Sequence, residues 1–132
     1  MNIIFDTSAI IDLARQEKWI LDEFPKLKNH QLLVSVISLA EIKIGLHLSK
    51  NKSEVVMAAL DKLIASGLIK IVNVDTNVAN QYAKLQNDMR KIGTQLGSFD
   101  GLIAATALEY KTTLVTSDSD FKRIKQLKLI TP

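Results

Sequence analysis

The segment Ile3-Ile4-Phe5-Asp6-Thr7-Ser8 consists of three apolar residues followed by an acid and two hydroxyl residues. The apolar run predicts a buried strand, and the polar residues after it predict a turn into a helix. Asp6 therefore stands at the carboxyl end of a predicted strand, where an open parallel sheet builds its ligand site. Taken alone, Asp6 is also a good helix-capping residue, since aspartate is common at such turns.

Five short β-rich runs recur along the chain, with helical patterns between them. They are Ile3–Phe5, Leu32–Val36, Leu68–Val74, Thr113–Val115 and Leu127–Ile130. Strands that alternate with helices are typical of a parallel sheet covered by helices. We therefore expect an α/β fold. Because the 132 residues contain no linker, repeat or low-complexity tract, we expect residues 1–132 to form one domain.

Helical periodicity and capping residues predict where the helices lie. The predicted helices are Ser8–Arg15, Glu17–Phe24 ending near Pro25, Ser38 to about Leu48, Ser53 to just before Gly67, Thr76 or Asn77 to Gly93, and Phe99–Tyr110 capped by Ser98. The last of these is apolar nearly all round, which predicts a helix buried in the middle of the domain.

Three further acids occupy positions like that of Asp6. Glu41 and Asp100 lie in the first turn of predicted helices, and Asp118 follows the apolar run Leu114-Val115. Burying four carboxylates together costs solvation energy unless a cation shares them. The sequence therefore predicts a site for a hard divalent metal, Mg²⁺ or Mn²⁺, and metal-assisted phosphate chemistry.

Glu41 and Asp100 also have simpler interpretations. Ser38 and Glu41 match a capping box, in which Glu41 would reach back to the Ser38 amide. Asp100 is favoured in a first turn by the helix dipole. Asp120 is either a fifth site acid or, more simply, the cap of a short helix Phe121–Gln126.

Hydroxyl residues accompany the acids. Thr7, Ser8 and Thr116 are candidates to orient carboxylates or waters from a second layer of contacts.

Charge and composition narrow the class of protein. The net charge of +3 leaves a clearly basic remainder once four acids are assigned to a metal, which favours a polyanionic partner such as nucleic acid. A lysine-rich protein without such a partner explains the charge equally well. Candidate contacts to RNA phosphates are Lys43, Lys122, Arg123 and Lys125, although a solvated helix face is the more common role for such residues.

The absence of cysteine excludes disulfides, thiol catalysis and cysteine-ligated zinc, and fits a reducing cytoplasm. The N-terminus has no basic region, and no apolar run reaches the roughly 18 residues of a membrane span. We expect a cytoplasmic protein without a membrane segment.

Four segments together resemble the PIN-domain nucleases, and their size and order are similar to the VapC toxins of toxin–antitoxin pairs. The segments are Ile3–Ser8, Ser38–Glu41, Phe99–Ala105 and Thr116–Phe121. The resemblance implies a three-layer fold with a five-stranded parallel sheet in the order 3-2-1-4-5. It also implies Mg²⁺- or Mn²⁺-dependent hydrolysis of RNA phosphodiesters.

The family's roles can be carried over residue by residue. The resemblance implies that Asp6, Glu41, Asp100 and Asp118 are the catalytic and metal-binding quartet, with Thr7 and Thr116 at the neighbouring hydroxyl positions. It further implies a homodimer and a cognate VapB-like antitoxin as partners. The alternative is a catalytically silent PIN-fold module that binds RNA or protein. A receiver-like phosphoacceptor domain also clusters acids around Mg²⁺, but the buried helix opened by Asp100 counts against it.

Overall fold

The computed structural model describes residues 2–132, and Met1, the first residue of the predicted domain, lies outside them. The strands within the described range are β1 (Asn2–Phe5), β2 (Gln31–Ser35), β3 (Ile69–Val72), β4 (Thr113–Val115) and β5 (Lys128–Ile130). All pairings are parallel, and the order across the sheet is β3-β2-β1-β4-β5. The expected α/β fold and strand order are confirmed, and the strand ends differ from the predicted ones by one or two residues.

Helices connect these strands on both faces of the sheet. In residues 2–132 they are α1 (Thr7–Ala14), α2 (Lys18–Leu27), α3 (Val36–Leu48), α4 (Lys50–Ala65), α5 (Thr76–Lys91), α6 (Ser98–Glu109) and a 3₁₀ helix, Ser119–Arg123. No helix in this range is long and apolar enough to cross a membrane.

Two predicted helix starts were wrong because a neighbouring residue makes the cap. The Asp6 carboxylate, not Ser8, caps α1 by accepting from the Ala9 amide. Ser35, the last residue of β2, caps α3 by accepting from the Ile37 amide, so the predicted start at Ser38 was wrong. The chain therefore passes from strand to helix without a loop at both places, because the capping side chain stands at the strand end.

Other helix boundaries also differ from the prediction. α4 begins at Lys50 rather than Ser53, and α6 begins after Gly97 with no side-chain cap within the described chain, so Ser98 is not its cap. Pro25 lies inside α2 and does not end it. Its missing amide removes one hydrogen bond, but buried Leu27 extends the apolar face that α2 packs against the sheet.

The sheet separates two apolar clusters, as the alternation of side chains along a strand requires. Ile3 and Phe5 of β1 belong to the cluster beneath α1, α2 and α4, whereas Ile4 belongs to the cluster beneath α5 and α6. The layers are therefore helices, sheet and helices. β1 is central, and the chain builds outward from it first through β2 and β3 and later through β4 and β5. The order reverses between β1 and β4, where a ligand site is expected at the carboxyl ends.

Candidate active site

The carboxylate of Asp6 lies at this reversal point and is held by three donors. Its Oδ1 accepts from Ser8 Oγ at 2.7 Å and from the Ala9 amide at 2.8 Å. Its Oδ2 accepts from Thr116 Oγ1 at 2.5 Å. Only 3% of Asp6 is exposed. The residue thus both caps α1 and presents a fixed carboxylate between β1 and β4.

Burial raises the pKa of Asp6 from 3.8 to about 6. The hydrogen bonds from Thr116, Ser8 and Ala9 act in the opposite direction, and the negative charge of Asp100 adds to the increase. Desolvation disfavours the charged form, and a like charge does the same, so both effects raise the pKa of an acid. A nearby cation would favour the charged carboxylate and so offset both effects.

Asp118 is connected to Asp6 through the Thr116 hydroxyl. Thr116 Oγ1 accepts from the Asp118 amide at 2.9 Å while it donates to Asp6. Ser8 Oγ lies 3.3 Å from Thr116 Oγ1 and accepts from the Ser117 amide at 3.0 Å. The predicted orienting roles of Ser8 and Thr116 therefore have a physical basis in one hydroxyl network that ties the end of β1 to the end of β4.

The side chain of Asp118 caps the 3₁₀ helix Ser119–Arg123 by accepting from the Asp120 amide at 2.9 Å. The prediction that Asp120 caps a helix over Phe121–Gln126 was wrong on both the cap and the bounds. A carboxylate has about four acceptor positions, so one cap bond leaves Asp118 able to bind a cation.

Glu41 lies in the second turn of α3, because that helix begins two residues earlier than predicted. Its Oε1 accepts from Thr7 Oγ1 at 2.7 Å. The alternative in which Glu41 completes a capping box with Ser38 was wrong, since Ser35 makes the cap. Ser38 itself is buried, and its hydroxyl finds no hydrogen-bond partner among the residues described. The bond from Thr7, at the start of α1, directs the Glu41 side chain toward that helix and the other acids.

Asp100 is partly buried in the first turn of α6 and lies among the other acids. Burial raises its pKa, and the negative charges of Asp118, Glu41 and Asp120 raise it further, while Arg123 lowers it. Because Asp6 in turn is affected by Asp100, the four acids named from sequence act on one another electrostatically. The structure brings together side chains from four separate segments at one edge of the sheet.

Comparison with known proteins assigns the family. The PIN domain profile matches residues 3–127. The chain belongs to the PIN-domain family. Ribonuclease VapC1 of Rickettsia felis is 32% identical over 134 residues, which cover 99% of this chain and 96% of the relative. The resemblance found in the sequence is therefore confirmed.

Solved structures give the same result for the fold of this PIN domain. VapBC2 from Rickettsia felis, bound to a DNA fragment from its promoter, aligns with a TM-score of 0.85 and 27% identity, covering 99% of this chain and 98% of that one. VapBC-1 from nontypeable Haemophilus influenzae aligns with a TM-score of 0.80 and 26% identity over the same shares of the two chains. The domain is VapC-like in fold and length.

PIN ribonucleases of the VapC type generally depend on a divalent metal ion. Within residues 2–132, no three His, Asp or Glu side chains are grouped tightly enough to enclose an ion as they stand. The donor set nevertheless fits a hard divalent cation, because it consists of carboxylate oxygens alone. Burial raises the pKa of Asp6 and of Asp100, and the negative charges of neighbouring acids raise both further. A cation at this place would offset both effects.

Glu41 lines two grooves, one on each side of it. The first is also lined by Thr7, Arg15, Lys52 and neighbouring apolar residues, and the second by Gly97, Ser98, Phe99 and Asp100. Sequence reasoning considered Lys52 as a possible phosphate contact but missed Arg15 and Phe99. A signal for Arg15 existed, because Thr7, Ile11 and Arg15 follow one another at intervals of four and share one face of α1.

The basic residues predicted to contact RNA differ in their surroundings. Lys43, Lys122 and Lys125 are exposed. Arg123 donates from Nη1 to Thr94 Oγ1 at 2.6 Å and from Nε to the Asp120 carbonyl at 3.2 Å. Its guanidinium therefore joins the 3₁₀ helix to the loop between α5 and α6. This structural role explains why an arginine stands here even if it makes no contact with RNA.

Proposed function

We propose that residues 1–132 form a single PIN domain that acts as an endoribonuclease toxin of the VapC type and hydrolyses RNA phosphodiester bonds. The observation that carries this proposal is the buried carboxylate of Asp6, with its pKa raised to about 6 beside Asp100. Keeping an acid so poorly solvated among other acids costs stability, and such costs are typical of functional sites. Its curated relatives include proteins named ribonuclease VapC.

We propose the following roles within the quartet. Asp6, Asp100 and Asp118 would hold the ion, Mg²⁺ or Mn²⁺, and Glu41 would either bind it or position the attacking water. An ion of this kind activates water for attack on phosphorus and offsets the charge on the departing oxygen. The products would carry a 5′-phosphate and a 3′-hydroxyl.

The chain's own hydroxyls supply the orientation that such chemistry needs. Thr116 and Ser8 fix both oxygens of Asp6, and Thr7 fixes one oxygen of Glu41. Each bond restricts a carboxylate to one direction before substrate arrives. Preorganised acceptors lose little conformational freedom during the reaction, which is why supporting contacts affect rate as well as affinity.

We further propose a cognate VapB-like antitoxin and a homodimer as partners, and the cytoplasm as the location. VapBC complexes are among the solved structures that this fold matches closely. Exposed apolar side chains on α3 and α4 give such partners a surface, with Ile44, Leu48 and Val55 all largely solvent-accessible. Val56 and Leu60 on α4 are instead buried in the core.

The test is cleavage of total cellular RNA by purified protein free of antitoxin. Reactions with Mg²⁺ or Mn²⁺ are compared with reactions in EDTA, and Asp6→Asn is the matched inactive variant. Discrete cuts that require metal and are missing in the variant are expected, and end mapping would identify the target. Cleavage that persists in Asp6→Asn would reject the site. Folded wild-type protein that binds RNA without cutting it would instead favour the catalytically silent module.

A further inference from the structure

Phe99 is an aromatic side chain that the core does not use. It is 41% exposed and belongs to neither apolar cluster of the described residues. The residues that follow it on α6 behave differently, since Gly101, Ile103 and Ala104 are buried. An apolar ring left at the surface beside a catalytic centre loses solvation energy without gaining core packing.

The ring lies in the wall of a groove that reaches the acids. Glu41, Gly97, Ser98, Phe99 and Asp100 line this groove, which has a volume of about 310 Å³. The two lining residues that precede Phe99 are small, a glycine and a serine. Asp100, the next residue, belongs to the proposed quartet. A group resting on Phe99 would therefore adjoin the reacting phosphate.

The loop next to this wall has no charged residue of its own with which to recognise a phosphate. The loop between α5 and α6, residues 92–97, contains no lysine, arginine, aspartate or glutamate. A loop without charged residues and an exposed aromatic ring beside it suit the flat face of a nucleobase. Base–aromatic stacking contributes about 1–3 kcal/mol per base.

We propose that Phe99 is the platform on which an unpaired base of the RNA stacks next to the cleaved phosphate. This inference rests on the proposed nuclease function. Bases within a duplex already stack on their neighbours and present no free face, whereas bases in loops and single strands can be splayed onto aromatic side chains. Phe99 thus positions substrate and takes no part in proton transfer or metal binding.

Three substitutions separate stacking from apolar bulk. Phe99→Leu keeps an apolar side chain and loses the ring, Phe99→Ala loses both, and Phe99→Trp keeps an aromatic face. Tyr110→Leu is the matched control, because Tyr110 is 36% exposed at the opposite end of the same helix. Urea unfolding verifies that each variant is folded before it is used.

The binding assay uses a fluorescein-labelled pool of randomised eight-nucleotide RNA and, in parallel, an abasic eight-nucleotide RNA backbone. Anisotropy is measured in EDTA, so that the RNA is not cut, at one salt concentration. We expect Phe99→Leu and Phe99→Ala to weaken binding of the randomised pool by roughly 5- to 150-fold. Phe99→Trp and Tyr110→Leu should bind like the wild type. All five proteins should bind the abasic RNA equally, because it has no base to stack.

Unchanged affinity of Phe99→Leu for the randomised pool would overturn the proposal, and so would an equal loss on the abasic RNA. Retained RNA affinity together with weakened antitoxin binding would assign the ring to protein docking and overturn it as well. The failure of the proposed nuclease function is a different result. In that case the wild type would cut no RNA in the total-RNA assay, yet the ring-dependent difference in binding could still be measured.

Discussion

Thr116 Oγ1 donates a hydrogen bond to Asp6 Oδ2 although the two residues are 110 positions apart in the chain. The bond exists because β1 and β4 are paired side by side, with Phe5 opposite Val115. The residues that directly follow these two strand ends, Asp6 and Thr116, then meet at the site. The same hydroxyl accepts from the Asp118 amide, so one atom holds two of the four acids in position.

Thr116→Val should therefore damage stability and catalysis together. Valine has nearly the same shape but removes the donor to Asp6 and the acceptor for the Asp118 amide. We expect the free energy of unfolding to fall by about 2 kcal/mol, as for other polar groups left without a partner. RNA cleavage should fall as well. Urea denaturation at neutral pH and a cleavage time course measure the two effects.

Thr116→Ser is the control for that substitution, because serine keeps the hydroxyl. It should retain most of the stability and most of the activity. A valine variant as stable and active as the serine variant would show that the hydroxyl bonds contribute nothing.

Asp6→Asn should make the metal-free protein more stable at neutral pH while it removes cleavage. The folded protein binds the Asp6 proton more tightly than the unfolded chain, since the pKa is raised from 3.8 to about 6. Unfolding free energy contributed by Asp6 is therefore highest below pH 4 and decreases as pH rises toward 6, by at most about 3 kcal/mol. Because asparagine does not titrate, the free energy of unfolding of the variant lacks the part of the decrease with pH that Asp6 causes in the wild type.

The measurement is urea unfolding of both proteins in EDTA across this pH range. The difference between the two curves isolates Asp6, because Asp100, whose pKa is also raised, is present in both proteins. The advantage of the variant should grow between pH 4 and 7. Adding Mg²⁺ should stabilise the wild type more than the variant if Asp6 helps to hold the ion. A pH-independent difference would contradict the assigned pKa.

The strand order was predicted through the resemblance to the PIN family and is confirmed. The four proposed site acids could be picked out because each lies in a recognisable segment near the end of a strand or the start of a helix. The sequence could not predict the first residue of a helix where that residue depends on where the preceding strand ends. Ser35 and Ser38 are both good caps, and the choice between them is made by the pairing of Ser35 with Val72 at the end of β2. That pairing joins residues from different parts of the chain, which no local pattern contains.

Contacts between distant side chains were missed for the same reason. Arg123 belongs to a basic cluster with Lys122 and Lys125, which the sequence suggests could bind RNA. In the structure, however, Arg123 donates a hydrogen bond to Thr94, 29 positions away. Phe99 opens an apolar helix, where an aromatic residue is most simply assigned to the core. Its exposure depends on how α6 is set against α3, and only the folded chain determines that arrangement.

Glu41→Gln should abolish cleavage with little change in stability. Glu41 does not cap α3, and a polar substitution on a partly exposed position usually changes the unfolding free energy by less than about 0.5 kcal/mol. Ser35→Ala is the contrasting variant, because Ser35 makes the cap and its loss should cost about 1 kcal/mol. Thermal unfolding and RNA cleavage are measured for both. A loss of stability in Glu41→Gln as large as that in Ser35→Ala would restore the capping role.

Arg15→Gln combined with Lys52→Gln should weaken RNA binding and its dependence on salt. Both side chains line the groove that Glu41 and Thr7 share, and neither forms a salt bridge with any residue in the described part of the chain. Two unpaired cations beside the acids suit the phosphates next to the cleaved bond. Each phosphate contact that is lost should make the logarithmic salt slope less negative by roughly 0.7.

The matched control removes the same charge from the opposite end of the sheet. Lys111 and Lys128 line a cavity there, at the amino end of β5, and Lys111→Gln with Lys128→Gln changes the net charge equally. Anisotropy with the randomised RNA pool, between about 50 and about 200 mM salt, should give a reduced slope only for the Arg15 and Lys52 variant. Equal slopes for the two double variants would mean that RNA responds to net charge alone, and the groove beside Glu41 would have no part in holding the strand.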